Sequence, residues 1–399
     1  MDPAELALLT SPEGSALLDE LGPLDTGDAA TAAVLRLRKA GRPAELVAAV
    51  VSQARLRARA RAKLGEAADR LLFTEAGLQQ ATRAEVAARH AARYHDAGIE
   101  SVADLGCGIG ADALAFSAAG LRVRAVERDP VTAAIAAHNL AAYSAAVEIG
   151  DAEAFPVEAV DGVWLDPARR DGRRGSTGRP ARLAATDWSP SLDFAFGLAA
   201  RRPTGVKLGP GLDRALLPDG VEAQWVSVRG DVVELAVWSG PLARPGIGRS
   251  ALLLGPDGPR ELTAAADAPD AEPGPLGEYL LEPDGAVIRA RLIGDLARML
   301  DGRMLDPTIA WVSCDAVPDT PFGQAFRVVA ELPVDERTLR RELAARGIGT
   351  VEIKVRGLDI DPAAFRRRLS PRGPNQAALI LTRIAGRRRA VLAERLPAA

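Results

Sequence analysis

The sequence of 399 residues predicts an α/β protein in which a parallel sheet with crossover helices stands between a helical segment and a smaller α+β region. Three observations support this prediction. Residues 1–97 are rich in Ala, Leu, Arg and Glu, and their apolar positions recur at helical spacing. From residue 98 onward, short apolar runs alternate with helical patterns, and from residue 278 strand-like runs are mixed with a helix. We therefore expect domains at 1–97, 98–253 and 278–399.

The helical segment contains a strongly basic run, RLRARARAK, at residues 55–63. Such a run could bind phosphates, but it also fits a helix whose solvated face is covered by ion pairs. The second interpretation is the one we favour.

The central region predicts a sheet of seven strands. Five would be parallel, and the last two would form a hairpin around a tight turn at Arg229-Gly230-Asp231. The stretch at 254–277 is rich in Pro, Gly and Asp, which predicts a weakly structured boundary. The predicted strands are SVADLG, RVRAVERD, AVEIGDA, DGVWLDP, TGVKLGPG and the two halves of EAQWVSVRGDVVELAVWSG.

The C-terminal region is locally basic. Residues 335–399 carry 15 Lys and Arg against 7 Asp and Glu, whereas the whole chain carries 50 against 53. Two arginine triplets, 366–368 on a short helix and 387–389 after a strand, could meet on one face and contact phosphates. A solvated surface, or a coding bias toward Arg over Lys, would give the same pattern.

Composition also narrows the class of protein. Two cysteines cannot build a disulfide framework, and no apolar run approaches the ~20 residues of a membrane span, so we expect a cytoplasmic protein without a membrane partner. His90, His95 and His138 lack the spacing of a zinc site, so we expect no metal. The sequence leaves the oligomeric state open.

A glycine-rich loop follows the first predicted strand in VADLGCGIGADAL. Gly106, Gly108 and Gly110 would let the backbone approach a ligand at a helix N-terminus, as in nucleotide sites. Asp104 distinguishes between two ligands: a carboxylate there would repel the pyrophosphate of NAD but suits the cationic amino acid end of S-adenosyl-L-methionine.

Acidic residues follow three later strands of the predicted sheet. Glu127 ends the second strand, where a carboxylate can bind ribose hydroxyls. Asp151, with the amide of Ala152, follows the third strand, where it could receive an adenine amino group. Asp166 and Pro167 follow the fourth. A single acid at a strand end can be a cap, but ligands of parallel sheets bind at these ends, so we interpret the set as one site.

The motifs DLGCGIGAD, VERDP, GDAEAF and LDPARR, in this order, resemble those of class I S-adenosylmethionine-dependent methyltransferases, whose sheet is Rossmann-like and seven-stranded. This resemblance covers about residues 74–238. The upstream stretch LLFTEAGLQQATRAEVAARHAARY and the CGIGAD loop are similar to the trimethylguanosine synthase-like, RNA-modifying branch. The segments YLLEPDGAVIRARL, VEIKVRGLDIDP and ALILTRIAG resemble the THUMP-like domain fused to such enzymes.

The resemblance implies a cofactor site and a target site. Asp166 and Pro167 match the motif of amino-methylating relatives, which continues with a second Pro and an aromatic ring; this chain has Ala168 and Arg169 instead. Arg169 could still cover a base by stacking or bind a phosphate. Arginines of the stretch 168–182 suggest an anionic substrate, and Trp164, Trp188, Trp225 and Trp238 could form a stacking platform or a core. The implied residues for S-adenosyl-L-methionine are Asp104, Gly106, Gly108, Gly110, Glu127, Asp151 and Ala152.

These observations predict a methyltransferase that uses S-adenosyl-L-methionine and acts on RNA, with a tRNA or rRNA base as acceptor. Asp166 would accept a hydrogen bond from the target amine. Three alternatives remain open at this point: a non-catalytic RNA-binding or scaffold protein that retains the cofactor pocket, a methyltransferase of proteins or small molecules, and an NAD(P)-dependent oxidoreductase.

Overall fold

The structure is a computed structural model and describes residues 1–169 and 188–397, apart from the side chain of Arg169. The chain divides into two compact units. The first comprises Met1–Leu208, Arg214–Val221 and Ala236–Ala243, and the second comprises Gly209–Asp213, Glu222–Leu235 and Arg244–Ala399.

Six helices form the N-terminal part of the first unit. Side chains of Asp2, Ser11 and Thr26 cap three of these helices by accepting a hydrogen bond from a first-turn amide. The longest helix buries one face in a core of Leu, Val and Ala. The helices are α1 Pro3–Thr10, α2 Pro12–Leu21, α3 Gly27–Lys39, α4 Ala44–Leu64, α5 Glu75–Gln80 and α6 Ala84–Asp96.

The helices and strands between residues 101 and 238 are β1 Ser101–Leu105, α7 Ala111–Ala118, β2 Arg122–Glu127, α8 Pro130–Leu140, β3 Ala145–Ile149, β4 Gly162–Leu165, β5 Ala168–Arg169, β6 Trp188–Ser189, α9 Leu192–Ala199, β7 Thr204–Leu208, β8 Glu222–Val228 and β9 Asp231–Trp238. In the first unit, five of these strands pair in parallel in the order β3-β2-β1-β4-β7, and the end of β9 lies next to β7.

Aromatic side chains fill the core beside this sheet. Trp164 of β4 and Trp238 of β9 are buried with ring centroids 5.6 Å apart, and Tyr94 of α6 packs edge-on against both. The Tyr94 hydroxyl donates to the carbonyl of Val163 and accepts from the amide of Gly205, 3.0 Å away. The ring thereby fixes α6 across β4 and β7.

The second unit continues from the first part of β9 through β8 to two further strands, β10 Arg249–Gly255 and β11 Gly258–Ala264. The turn between β8 and β9 has positive φ at Arg229 (50°) and Gly230 (90°), which suits a two-residue hairpin. The expectation of a weakly structured boundary from 254 is wrong for its first part, because Pro256-Asp257 is the tip of a hairpin between two regular strands.

A separate seven-stranded sheet in this unit has the order β13-β14-β12-β15-β18-β17-β16. Helices α12 and α13 cover one face of it, with a core that includes Leu339, Phe365 and Leu392. The elements are β12 Tyr279–Pro283, α10 Gly285–Arg289, α11 Ile293–Met299, β13 Arg303–Asp306, β14 Ile309–Cys314, β15 Gly323–Pro333, α12 Glu336–Ala345, β16 Ile348–Val355, α13 Pro362–Leu369, β17 Asn375–Ile384 and β18 Arg387–Arg395.

The second arginine triplet follows a strand, β17, as predicted, and it also forms the start of the next strand, β18. A tight turn at Ala385 (φ 47°) and Gly386 (φ 75°) starts β18 directly at Arg387. Successive strand residues point to opposite faces, so Arg388 lies on the face of Ala390 and Leu392, where α12 and α13 pack, and its two neighbours do not. The triplet as a whole therefore does not share one face with residues 366–368.

Within the described ranges 1–169 and 188–397, no helix is both long enough and apolar enough to cross a membrane.

Candidate active site

The glycine loop is held against the end of β2 by main-chain hydrogen bonds. The amides of Gly106 and Cys107 donate to the carbonyl of Val126, at 2.8 and 3.0 Å. Gly106, Gly108 and Gly110 all have positive φ (90°, 56° and 87°), a conformation that side chains oppose. Gly110 precedes α7 without a side-chain cap, and the amide of Ala113 in the first helical turn donates a hydrogen bond to Asp104.

Asp104 is buried in β1 just before this loop, with 1% of its surface exposed. Its Oδ2 has no hydrogen-bond partner among the described residues. Burial raises the pKa of Asp104 well above its usual range, and the nearby carboxylates of Asp112 and Asp166 raise it further. A buried carboxyl group in this state is suited to a cationic ligand that would restore its charge.

Glu127 and Asp151 lie at the ends of neighbouring strands. Glu127 is half-buried, and its carboxylate accepts from the amides of Gly108 (3.1 Å) and Asp129 (2.9 Å), which fixes it beside the glycine loop. A carboxylate offers about four lone-pair sites, so Glu127 can accept further hydrogen bonds from hydroxyl groups. Asp151 is exposed and caps the turn that contains the buried Ala152.

Glu153 was not expected from the sequence and ties this loop to α9. Its Oε1 accepts from the amide and the hydroxyl of Ser191, at 2.9 and 3.0 Å. Ser191 also caps α9, and the neighbouring Pro190 is buried, with its Cδ next to Gly106. The loop after β3 and the glycine loop therefore both meet the start of α9, and the first of these contacts joins residues 38 positions apart in sequence.

Asp166 pairs with a lysine that belongs to none of the predicted site motifs. Nζ of Lys207 lies 2.5 Å from Oδ2 of Asp166, with 11% and 36% of the two side chains exposed. Leu165 of β4 is opposite Val206 of β7, so the residues that follow both lie side by side at the carboxyl end of the sheet. The one available signal was composition, since Lys207 is one of only four lysines in a chain dominated by arginine.

A short ribbon follows the Asp166-Pro167 motif. Ala168 pairs with Ser189 and Arg169 with Trp188 in antiparallel register, and Pro167 is buried. The predicted arginine cluster beyond residue 169, like the side chain of Arg169, lies outside the described residues.

A second buried carboxylate lies beneath the glycine loop. Asp112, in the first turn of α7, accepts from the hydroxyl of Thr82 (2.6 Å) and lies 2.8 Å from Nδ1 of His90. Burial alone would raise the pKa of Asp112, but the hydrogen bond and charge of His90 outweigh it and hold the pKa below its usual value. The His90 ring packs 4.3 Å from Trp164 between centroids. This cluster fixes the start of α7 to α6.

Two residue sets that the sequence left open have a structural role. Trp164, Trp188, Trp225 and Trp238 are at most 2% exposed, so they belong to the core and form no stacking platform.

The basic run of α4 also has a structural role. Arg59 pairs with Glu75, and Arg61 pairs with Asp69. Arg57 is buried on the carbonyl of Leu71, and Lys63 donates to three carbonyls at the end of α5. The run joins α4 to its neighbours.

Cys107 is buried within the loop, and burial raises the pKa of its thiol well above the usual value. It is therefore a small spacer and not a nucleophile. The described ranges contain no group of three or more His, Cys, Asp or Glu residues that could hold a metal ion.

A parallel sheet whose first strand leads into a glycine loop, with acidic residues after each of the next strands, defines a Rossmann-like class I methyltransferase. Two Mycobacterium tuberculosis proteins, from strains CDC 1551 / Oshkosh and ATCC 25618 / H37Rv and both named uncharacterized S-adenosylmethionine-dependent methyltransferases, are 38% identical to the chain over 339 residues. The matched region covers 82% of this chain and 90% of each relative. The chain belongs to this family of S-adenosylmethionine-dependent methyltransferases, and S-adenosyl-L-methionine is its cofactor.

Further comparisons agree on the fold. A solved structure from Porphyromonas gingivalis W83, described as a methyltransferase, superposes with a TM-score of 0.74 at 23% identity and covers 99% of both chains. The model of the THUMP domain-like family matches residues 323–395, which span β15 to β18. A domain of unknown function matches residues 2–60.

Proposed function

We propose that the chain methylates RNA, with an amino group of a tRNA or rRNA base as the acceptor. The observation that carries the choice of RNA is the THUMP domain-like match at 323–395, the domain type that the sequence resemblance connects with RNA-modifying enzymes.

The charges of this region support the proposal. Some arginines there are neutralised, such as Arg368 by Glu336 and Arg389 by Glu331. Others are exposed and have no ion pair within the described ranges, and such cations are what a phosphate backbone requires. The exposed, unpaired arginines are Arg337, Arg366, Arg367, Arg372, Arg387 and Arg388.

The cofactor residues carried over from the family fit the geometry. Asp104, with its unpartnered buried oxygen, would bind the ammonium of S-adenosyl-L-methionine, and Glu127 would bind the ribose hydroxyls. Asp151 and the amide of Ala152 would bind the adenine edge beside Gly106, Gly108 and Gly110. When bound, the cofactor supplies a methyl group on a positively charged sulfur.

The protein chiefly positions the acceptor and excludes water from it. Asp166 would accept a hydrogen bond from the target amine and orient the lone pair of that amine. Pro167 would form part of the surface against which the acceptor base lies, and Arg169 would contact the base or a phosphate. Asp166 is more exposed than the buried carboxyl groups of Asp104 and Asp112, which supports its role as the acceptor's contact.

We also propose a cytoplasmic location, supported by the fact that Cys107 and Cys314 are both free thiols.

Transfer of labelled methyl groups to total RNA from a strain that lacks the gene tests the acceptor class. We expect label in RNA and little in the protein or small-molecule fractions. Label only in protein or metabolites, under conditions where calorimetry shows that the cofactor binds, would contradict the RNA proposal and leave the methyltransferase assignment intact.

A further inference from the structure

The carboxylate that we assign to the acceptor is already neutralised by a lysine. Nζ of Lys207 and Oδ2 of Asp166 lie 2.5 Å apart, within range of a charge-assisted hydrogen bond. Lys207 is 11% exposed and Asp166 36%, so the carboxylate is the more accessible member of the pair. The strand register of β4 and β7 fixes both residues at the same edge of the sheet.

Asp104, Asp112 and Asp166 differ in their hydrogen-bond partners, although the charge of Lys207 lowers the pKa of both Asp104 and Asp112. Asp112 is satisfied by Thr82 and His90, and Asp104 is buried and assigned to the ammonium of the cofactor. Asp166 and Lys207 form an ion pair at the carboxyl ends of β4 and β7. An acceptor at Asp166 therefore meets a donor and an acceptor of hydrogen bonds side by side, and the pair itself carries no net charge.

We infer that Lys207 and Asp166 together recognise an uncharged nucleobase amino group and the unprotonated ring nitrogen beside it, an inference that rests on the proposed function. The Asp166 carboxylate has lone pairs enough to accept from an amino N–H while it pairs with Lys207, and the lysine has three N–H donors, one of which can bind the ring nitrogen. Adenine, cytosine and guanine each carry such an amino group next to a ring nitrogen acceptor.

The same pair disfavours alkylamine acceptors. An alkylamine such as a lysine side chain has a pKa of about 10.4 and is a cation at neutral pH. An aspartate alone would attract this cation, but the ammonium of Lys207 repels it at close range. Lys207 is thus a specificity-determining residue that selects for neutral base amines.

Substitutions at Lys207 test this role with the full-length protein and RNA from the strain that lacks the gene. Lys207→Met removes the charge and every donor, and we expect KM for RNA to rise about ten- to a hundredfold. Lys207→Gln keeps N–H donors, so its KM should rise less. Lys207 also lowers the pKa of Asp104, so the Kd for S-adenosyl-L-methionine is measured in parallel by calorimetry, and the rise in KM for RNA should exceed any change in this Kd. Lys39 is an exposed lysine at the end of α3, so Lys39→Met is the control substitution and should leave KM for RNA unchanged.

A base analogue separates recognition from a merely structural role. Once the methylated base is mapped, a short transcript carries its deaza analogue, which lacks the ring nitrogen beside the amino group: 1-deazaadenosine, 3-deazacytidine or 3-deazaguanosine. The wild-type enzyme should show a KM for this transcript raised about as much as by Lys207→Met. The variant should show no further rise, because both changes remove the same hydrogen bond.

Several outcomes would overturn the inference. These are an unchanged KM in Lys207→Met, additive effects of the variant and the analogue, or methylation of protein lysines by the wild type. If Lys207→Met fails to fold, the KM of Lys207→Gln and the KM of the wild type for the deaza transcript still test whether Lys207 recognises the base. Failure of the proposed function has a different signature, namely wild-type protein that binds the cofactor but labels no RNA at all.

Discussion

Nδ1 of His90 lies 2.8 Å from Oδ1 of Asp112, and this buried pair joins α6 to the first turn of α7 directly beneath the glycine loop. Asp112→Asn removes the carboxylate charge from this buried pair. We expect Asp112→Asn to destabilise the protein by roughly 3 kcal/mol. Urea unfolding of the apo protein measures this value.

The pair also makes stability depend on pH. The pKa of Asp112 is lowered in the folded state, so its contribution is fully present above the unfolded value of about 3.9 and is lost as pH falls through the lower folded value. The stability difference between wild type and Asp112→Asn should therefore shrink below about pH 4. A difference that is constant with pH would show that the charge of Asp112 contributes nothing.

Asp104→Asn is expected to have opposite effects on stability and on cofactor binding. The pKa of Asp104 is raised in the folded apo protein, so its ionisation destabilises the fold at pH values above about 4, and the substitution should raise Tm at neutral pH. The same change should weaken binding of S-adenosyl-L-methionine by roughly 30- to 100-fold. Thermal scans and calorimetry measure the two effects.

Cofactor binding should itself depend on the charge of Asp104. Binding the ammonium requires the carboxylate form, so the Kd should decrease as pH rises through the elevated pKa of Asp104. The Asn variant should lose this part of the pH profile. A wild-type profile shared by the variant would place the ammonium elsewhere.

Asp166→Ala is expected to keep cofactor affinity within about threefold and to lower kcat/KM for RNA by roughly a hundredfold, because the acceptor amine loses its hydrogen-bond partner. Single-turnover assays with saturating cofactor measure the loss. Wild-type turnover in this variant would exclude the proposed role.

Neutralising the exposed arginines of the THUMP domain-like region should weaken RNA binding. In the triple variant Arg366→Gln, Arg367→Gln and Arg388→Gln, we expect the slope of log K against log salt to become shallower by about two to three units. Arg327→Gln is the control, because Arg327 is already paired with Glu394. Equal losses in both variants would show that these exposed arginines are not specific contacts.

The parallel sheet and the glycine loop were predictable because their signals are local: apolar runs, glycines and strand-end acids follow one another along the chain. Side-chain contacts between residues far apart in the sequence leave no such local pattern. Lys207 and Asp166 are adjacent only through the register of β4 and β7, and His90 and Asp112 only through the packing of α6 on α7.

Turn chemistry accounts for the errors. The Gly255-Pro256-Asp257-Gly258 stretch was interpreted as the start of a boundary, but glycines on both sides of a two-residue tip close a hairpin equally well. The short turn at Ala385 and Gly386 likewise begins β18 at the arginine triplet. In both places, the partner strand decides between loop and strand, and composition alone does not.

The pairing of Ala168 with Ser189 also couples two distant parts of the chain. The ribbon lies between the Asp166-Pro167 motif on one side and Ser191, the cap of α9, on the other. A slip of its register would therefore move Asp166 relative to α9, whereas β4 and β7 are paired with each other independently of the ribbon.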